Sequence, residues 1–120
     1  DINLITLLIG ASADGLELLT RENTWFPVST HGEDVVVNVG DMLQRLTNGK
    51  LKSTTHRVVN PPLELMKNSR YSVPFFLHPR ANMDLTCLAS CIDAEHPKQF
   101  SDMTAGEYLD ERLREIGLKK

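Results

Sequence analysis

As far as Leu77 this chain is a succession of short apolar runs broken by turn formers, and that rhythm limits its fold more than any other feature. Residues 2–9 are rich in Leu and Ile and run into Gly10-Ala11-Ser12-Ala13-Asp14-Gly15, which predicts a buried strand followed by a loop. Residues 16–20 predict a second strand, Arg21-Glu22-Asn23 a turn, and 24–28 the returning strand. His31-Gly32-Glu33-Asp34 forms a further turn before the β-branched run 35–39. Gly40-Asp41 opens a short helical segment over 42–46 that stops at Asn48-Gly49; Asp41 is expected to cap it, and Met42 and Leu46 to face the core. A strand over 51–60 ends at Pro61-Pro62, residues 63–69 connect, and 71–77 is the last strand.

The tail has a different period. Thr104-Ala105-Gly106-Glu107 matches a capping box, and Tyr108, Leu109, Arg112, Leu113 and Ile116 follow at helical spacing. Gly117 suits the residue just past a helix, with Lys119 and Lys120 at the negative end of its dipole, so a helix over 105–116 is expected. Its charged residues form a solvated face. Close-set strands followed by one helix predict a mainly β domain, either an antiparallel double sheet or a barrel.

At 120 residues and 41% hydrophobic, the chain is one domain or part of one, with enough apolar side chains for a core. A net charge of −3 and the lack of a basic patch interleaved with aromatics argue against nucleic acid as a partner. The apolar run around Leu4 to Ile9 is too short to cross a bilayer, and no basic leader precedes Asp1, so neither a membrane nor a signal peptide is expected. Cys87 and Cys91 lie four apart. A zinc site would need two more ligands at suitable spacing, so free thiols in a reducing cytoplasm are expected.

Four side chains stand out as chemistry. Arg70 and Ser72 are two apart in a predicted strand, hence on one face with Pro74 and Phe76. A planar cation beside a hydroxyl grips a carboxylate. His56 and Asp1 offer a neutral imidazole and a carboxylate, a donor pair suited to Fe(II). An Fe(II) oxygenase uses two histidines and one carboxylate on one face of the metal, leaving positions for co-substrate and O₂.

The residues around these four resemble a known family. Asp1-Ile2-Asn3-Leu4-Ile5-Thr6-Leu7-Leu8 is similar to the continuation of its His-x-Asp-x-x-x-Leu-Thr-Leu-Leu segment. Val37-Asn38-Val39-Gly40-Asp41-Met42-Leu43 is similar to its Val-Asn-x-Gly-Asp-x-Leu. Asn48-Gly49, with Ser53-Thr54-Thr55-His56-Arg57-Val58, is similar to its Asn-Gly-x-x-x-Ser-x-x-His-Arg-Val, and Arg70-Tyr71-Ser72 to its Arg-x-Ser. From Asp1 to about Arg80 the chain thus resembles the isopenicillin-N-synthase-like group of Fe(II)/2-oxoglutarate-dependent dioxygenases.

The resemblance implies a double-stranded β-helix, or jelly roll, over residues 1–80, incomplete, and a carboxyl-terminal extension over 81–120 that carries the helix. It implies Asp1 and His56 as iron ligands, and Arg70 and Ser72 as the grip on the distal carboxylate of 2-oxoglutarate. Strand parity adds Phe76 as a pocket wall. The implied reaction consumes O₂ and 2-oxoglutarate, gives succinate and CO₂, and hydroxylates or desaturates a small organic substrate. The family's first histidine falls two residues before Asp1, outside this chain. A truncated enzyme held with its amino-terminal part is therefore expected, inactive on its own.

Competing readings remain open. Asp1 could be a solvated terminus. Arg70 and Ser72 could serve an ion pair and a strand hydroxyl, or bind a substrate carboxylate in a member that uses no 2-oxoglutarate. The shell could be a non-catalytic binding domain. His31-Gly32-Glu33 also has His-x-carboxylate spacing, though it sits in a turn. His78 and His96, each before proline, are read as surface residues, and Trp25 and Phe26 as packing.

Overall fold

The protein's structure, a computed structural model, describes residues 1–10, 15–29, 31, 33–64 and 66–120. Its strands are β1 (Ile5–Ile9), β2 (Leu16–Leu19), β3 (Trp25–Val28), β4 (Val35–Val39), β5 (His56–Val58) and β6 (Val73–Leu77). Helix α1 (Asp41–Leu46) follows β4, a 3₁₀ turn covers Ala89–Cys91, and helix α2 (Ala105–Glu115) lies near the end. The strands form two sheets, ordered β4-β1-β6 and β3-β2-β5. Every strand that the pattern predicts is present among the described residues, several of them shorter than expected. The loop expected over 10–15 falls partly on 11–14, the turn at His31 includes Gly32, and the connector includes Leu65; these positions lie outside the described residues. Among the described residues no helix is long and apolar enough to cross a membrane.

The strand expected over 51–60 shrinks to β5 because its first half is bonded elsewhere. The amide of Leu51 donates to Thr47 Oγ1 (3.2 Å) and that of Ser53 to Gln44 Oε1 (2.8 Å), so side chains from α1 and its end take the donors a ladder would use. The cap of α1 also differs from expectation. Gly40 is the N-cap and makes no side-chain bond, while Asp41 is the first helical residue.

Two compact units, each discontinuous in sequence, make up the chain. One comprises Asp1–Ile5, Val39–Ser53 and Phe76–Lys120; the other comprises Thr6–Asn38 and Thr54–Phe75.

In the first unit Met42, Leu85, Ala105 and Tyr108 form the core, with Ile2, Leu4, Met83, Met103 and Leu109 packed around them. Leu85 is 0% exposed and Met42 1%. A helix leaves its first amides without internal partners, and here the chain's first residues supply them. Asp41 N donates to Asp1 O (2.8 Å) and Met42 N to Asn3 O (3.1 Å), while Gly40 N donates to Leu4 O (2.8 Å). The end of α1 is tied to the tail. The Arg45 guanidinium donates to Ser101 O (2.6 Å) and lies over Phe100 and Tyr108. Burial pushes the Tyr108 phenol above its usual pKa, and the Asp41 carboxylate adds to that.

Asn48 is the central junction of this unit. It is buried, and its backbone is left-handed at φ 51°. Its Nδ2 donates toward the carbonyls of Cys91 (3.2 Å), His96 (3.3 Å) and Pro97 (3.2 Å), and its Oδ1 accepts from Gln99 N (2.8 Å).

The capping box of α2 forms as expected. Glu107 N donates to Thr104 Oγ1 (3.3 Å) and Thr104 N to Glu107 Oε2 (2.7 Å). Thr104→Ala is expected to lower stability by about 1 kcal/mol in urea denaturation. The backbone amide and then the hydroxyl of Thr104 hold the Glu107 carboxyl below its ordinary 4.5. A depressed folded value means that this contribution is complete above 4.5 and fades as pH falls through the folded value. The stability gap between the wild type and Glu107→Gln should therefore narrow on acidification; a gap independent of pH would contradict the ionised cap.

In the second unit β2 pairs antiparallel with β3 (Leu16↔Val28, Leu18↔Phe26) and with β5 (Leu16↔Val58, Glu17↔Arg57, Leu18↔His56).

Candidate active site

Register decides what surrounds His56. Residues opposite one another in an antiparallel pair share a face. His56 and Val58 therefore lie on the face of Leu16, Leu18, Phe26 and Val28. The other face carries an ion pair, Arg57 Nε to Glu17 Oε2 at 2.7 Å, with the Arg57 guanidinium 4.0 Å from the centre of the Trp25 ring. The sheet thus carries its ion pair on the Arg57 side, and apart from His56 the histidine side is apolar. Trp25 packs, as expected for it. Phe26 does not follow that reading: it is 60% exposed, and Val58 69%, both on the histidine face. Nothing in the sequence marks Phe26 as a neighbour of His56's face. Only the β2–β3 register supplies that relation.

His56 itself is half-buried, and its Nδ1 lies 3.1 Å from Thr54 O. A carbonyl oxygen can only accept, so Nδ1 is the donor of this contact, and in the neutral ring that leaves the lone pair on Nε2. This is the tautomer in which an imidazole ligates a metal while its other nitrogen is held by the backbone.

Arg70 is half-buried and donates from Nη1 to Val59 O at 3.4 Å. Val59 N in turn donates to Gly15 O at 2.8 Å. The guanidinium therefore sits at the end of the β2–β5 ladder, three residues along from His56, roughly 10 Å of extended chain. Strand parity does not reach Arg70 or Ser72, because β6 starts at Val73. Ser72 is exposed. His56, Arg70 and Ser72 all belong to the second unit, whereas Asp1 and Phe76 belong to the first. Asp1 is half-buried, its carbonyl bonded to Asp41 N, and Phe76 is exposed on β6.

His31 and Glu33 are both exposed, and the backbone of His31 exchanges bonds with Asp34, its amide to Oδ2 (2.8 Å) and its carbonyl from the Asp34 amide (2.7 Å). His78 and His96 are exposed; His96 Nδ1 pairs with Asp93 at 2.9 Å. Cys87 and Cys91 are buried free thiols, with Cys87 Sγ 3.2 Å from Arg45 O. Among the described residues no group of three His, Cys, Asp or Glu is arranged to hold a metal. The donor set assigned to iron has two members in this chain, an imidazole nitrogen and a carboxylate oxygen, and both atom types suit Fe(II).

Comparison with known proteins gives this geometry a context. Residues 1–79 match the model of the 2OG-Fe(II) oxygenase superfamily. A 2-oxoglutarate-Fe(II) type oxidoreductase of Metarhizium majus is 36% identical over 117 residues, covering 94% of this chain and 34% of that protein. The crystal structure of a 2OG-Fe(II) oxygenase family protein from Caulobacter crescentus superposes with a TM-score of 0.90 at 48% identity, over 97% of this chain and 38% of that one. A full-length Neurospora crassa protein crystallised in complex with alpha-KG matches with a TM-score of 0.83 at 32% identity, over 97% of this chain and 36% of that one. The chain thus spans about a third of the length of the proteins it matches. Its fold is that of the jelly-roll, or double-stranded β-helix, oxygenases, mainly β with a carboxyl-terminal helix.

Proposed function

Because the chain belongs to the 2OG-Fe(II) oxygenase superfamily, we propose that it is the iron- and co-substrate-binding part of an Fe(II)- and 2-oxoglutarate-dependent dioxygenase that hydroxylates or desaturates a small organic substrate. The observation that carries this reading is a single ladder that bears both a histidine whose Nδ1 is held by a backbone carbonyl and, at its end, a half-buried arginine. Asp1 and His56 would hold the iron. Bound iron and 2-oxoglutarate supply the oxidation, O₂ being consumed and succinate and CO₂ released. The protein's own part is orientation. Thr54 O fixes the His56 ring, Val59 O fixes Arg70, and Arg70 with Ser72 receives the distal carboxylate of the co-substrate. Phe26 and Val58, apolar and exposed on the histidine face, are offered to the organic substrate, with Phe76 of β6 as a further wall. The amino-terminal part of the same enzyme is the partner that would complete the ligand set. Two buried, unbridged cysteines support a reducing compartment, the cytoplasm.

Anaerobic addition of Fe(II) and 2-oxoglutarate to the enzyme that carries this segment should produce the weak visible band of the chelate, and O₂ should release succinate. Arg70→Ala is expected to weaken 2-oxoglutarate binding roughly 10–100-fold, the loss of about 1.5–3 kcal/mol of charged hydrogen bonding, with iron binding little changed. Equal loss of both would take Arg70 out of its role. No band and no succinate would leave a non-catalytic binding shell, and succinate-free oxidation a member that spends Arg70 on its substrate's carboxylate.

A further inference from the structure

Gly15 is the residue against which the Arg70 guanidinium rests. A Cβ placed on Gly15 would lie 2.6 Å from Arg70 Nη1, 3.7 Å from its Cζ and 2.9 Å from Val59 O. The Gly15 backbone is at φ +147°, a conformation that side-chain-bearing residues rarely adopt. Its carbonyl meanwhile accepts the Val59 amide, and Val59 O accepts from Arg70. Gly15, Val59 and Arg70 thus form one closed contact at the end of the β2–β5 ladder. The two contacts that an added methyl group would make differ in what they can do. Val59 O is backbone, fixed by its place beside the ladder. The Arg70 guanidinium is the far end of a flexible side chain and gives way, whereas the contact with Val59 O is relieved only by a shift of backbone.

We propose that Gly15 is a positioning residue for co-substrate recognition: its missing side chain leaves the space in which Arg70 holds its fork toward the distal carboxylate of 2-oxoglutarate. The inference rests on the assignment of Arg70 to that carboxylate. A methyl group at Gly15 turns the fork away, and what is lost is discrimination for the distal carboxylate rather than the ability to chelate iron through a 2-oxo acid.

The test uses two probes on the full enzyme: 2-oxoglutarate, and 2-oxobutanoate, which keeps the chelating end and lacks the distal carboxylate. Gly15→Ala should weaken anaerobic binding of 2-oxoglutarate roughly tenfold or more while leaving 2-oxobutanoate within about twofold of wild type. In an Arg70→Ala background the strain at φ +147° and the contact with Val59 O remain, so the same change still costs stability, but it should no longer shift the preference between the two probes. A merely structural glycine would weaken both probes alike, or would shift the preference between them just as much without the arginine; either result overturns the proposal. If Gly15→Ala alone does not fold, recovery of folding in Gly15→Ala/Arg70→Ala supports the contact, and continued failure places the strain in the backbone and overturns it. Normal 2-oxoglutarate binding by Gly15→Ala beside impaired Arg70→Ala removes Gly15 and keeps the site. Normal binding by Arg70→Ala removes the assignment on which both depend.

Discussion

Asn48→Leu is expected to lower the unfolding free energy by about 2–4 kcal/mol, because it strips the partner from four backbone groups at once, one of them buried, and empties a buried polar junction. The leucine has a similar volume but no polar atoms. The carbonyls of Cys91, His96 and Pro97 lose the amide that bridges them, and the Gln99 amide loses its acceptor. The leucine must also adopt φ 51°, where asparagine is tolerated and a branched apolar residue is not. The damage should be local before it is global. Hydrogen exchange of residues 91–99 should accelerate first, since Asn48 is their link to the end of α1. Asn48→Asp makes the same loss depend on pH. It keeps Oδ1 as an acceptor and replaces the donor by a second oxygen facing three carbonyls. That carboxyl should have a raised folded pKa, so the variant regains stability as pH falls and loses it as pH rises through the folded value. Denaturation curves at several pH values measure both variants. A loss under about 1 kcal/mol for Asn48→Leu, or an Asn48→Asp variant insensitive to pH, would show that the junction carries no weight.

The legible parts of this molecule are those whose reasons are local. The run Val35–Val39 is rich in β-branched residues and forms β4 with the expected bounds. Helix α2 starts where Thr104 and Glu107 say it should, because a capping box satisfies its own donors. What sequence reading missed depended on side-chain partners that no periodic pattern marks. Residues 51–55 look like strand, but Thr47 and Gln44 take two of their amides. Asn48 reads as a turn residue, yet its side-chain partners lie 39 to 51 residues away. Leu85, wholly buried, sits in a stretch with no period to mark it. The candidate site divides the same way. His56 and Arg70 are visible through their flanking residues, while the face shared with Phe26 and the space left by Gly15 exist only once β2, β3 and β5 are in register.

Gly40→Ala should cost the enzyme that carries this segment both stability and iron affinity. The backbone of Gly40 is extended, φ −90° and ψ 170°, which alanine adopts without strain. The obstacle is contact alone. A Cβ there would land on the carbonyl oxygen and Oδ1 of Asn3, inside any permitted separation. Asn3 cannot simply retreat, because its carbonyl accepts from Met42 N, and the nearby carbonyls of Asp1 and Leu4 accept from Asp41 N and Gly40 N. Relief therefore requires the first residues to peel from the start of α1, which frees helix amides that α1 cannot satisfy itself. The overpacking and lost bonds should destabilise the protein by about 1–3 kcal/mol. A second consequence falls on Asp1, two residues before the clash and the proposed carboxylate ligand. A displaced supporting contact of this kind costs roughly 10–100-fold in metal affinity. Arg70 is held by Val59 beside Gly15, so preference for 2-oxoglutarate over 2-oxobutanoate should survive in whatever iron-loaded protein forms. Iron titration separates the cases. Affinity within about threefold of wild type, in a variant whose stability has fallen as expected, would mean that Asp1 reaches its metal without help from α1 or is not a ligand at all.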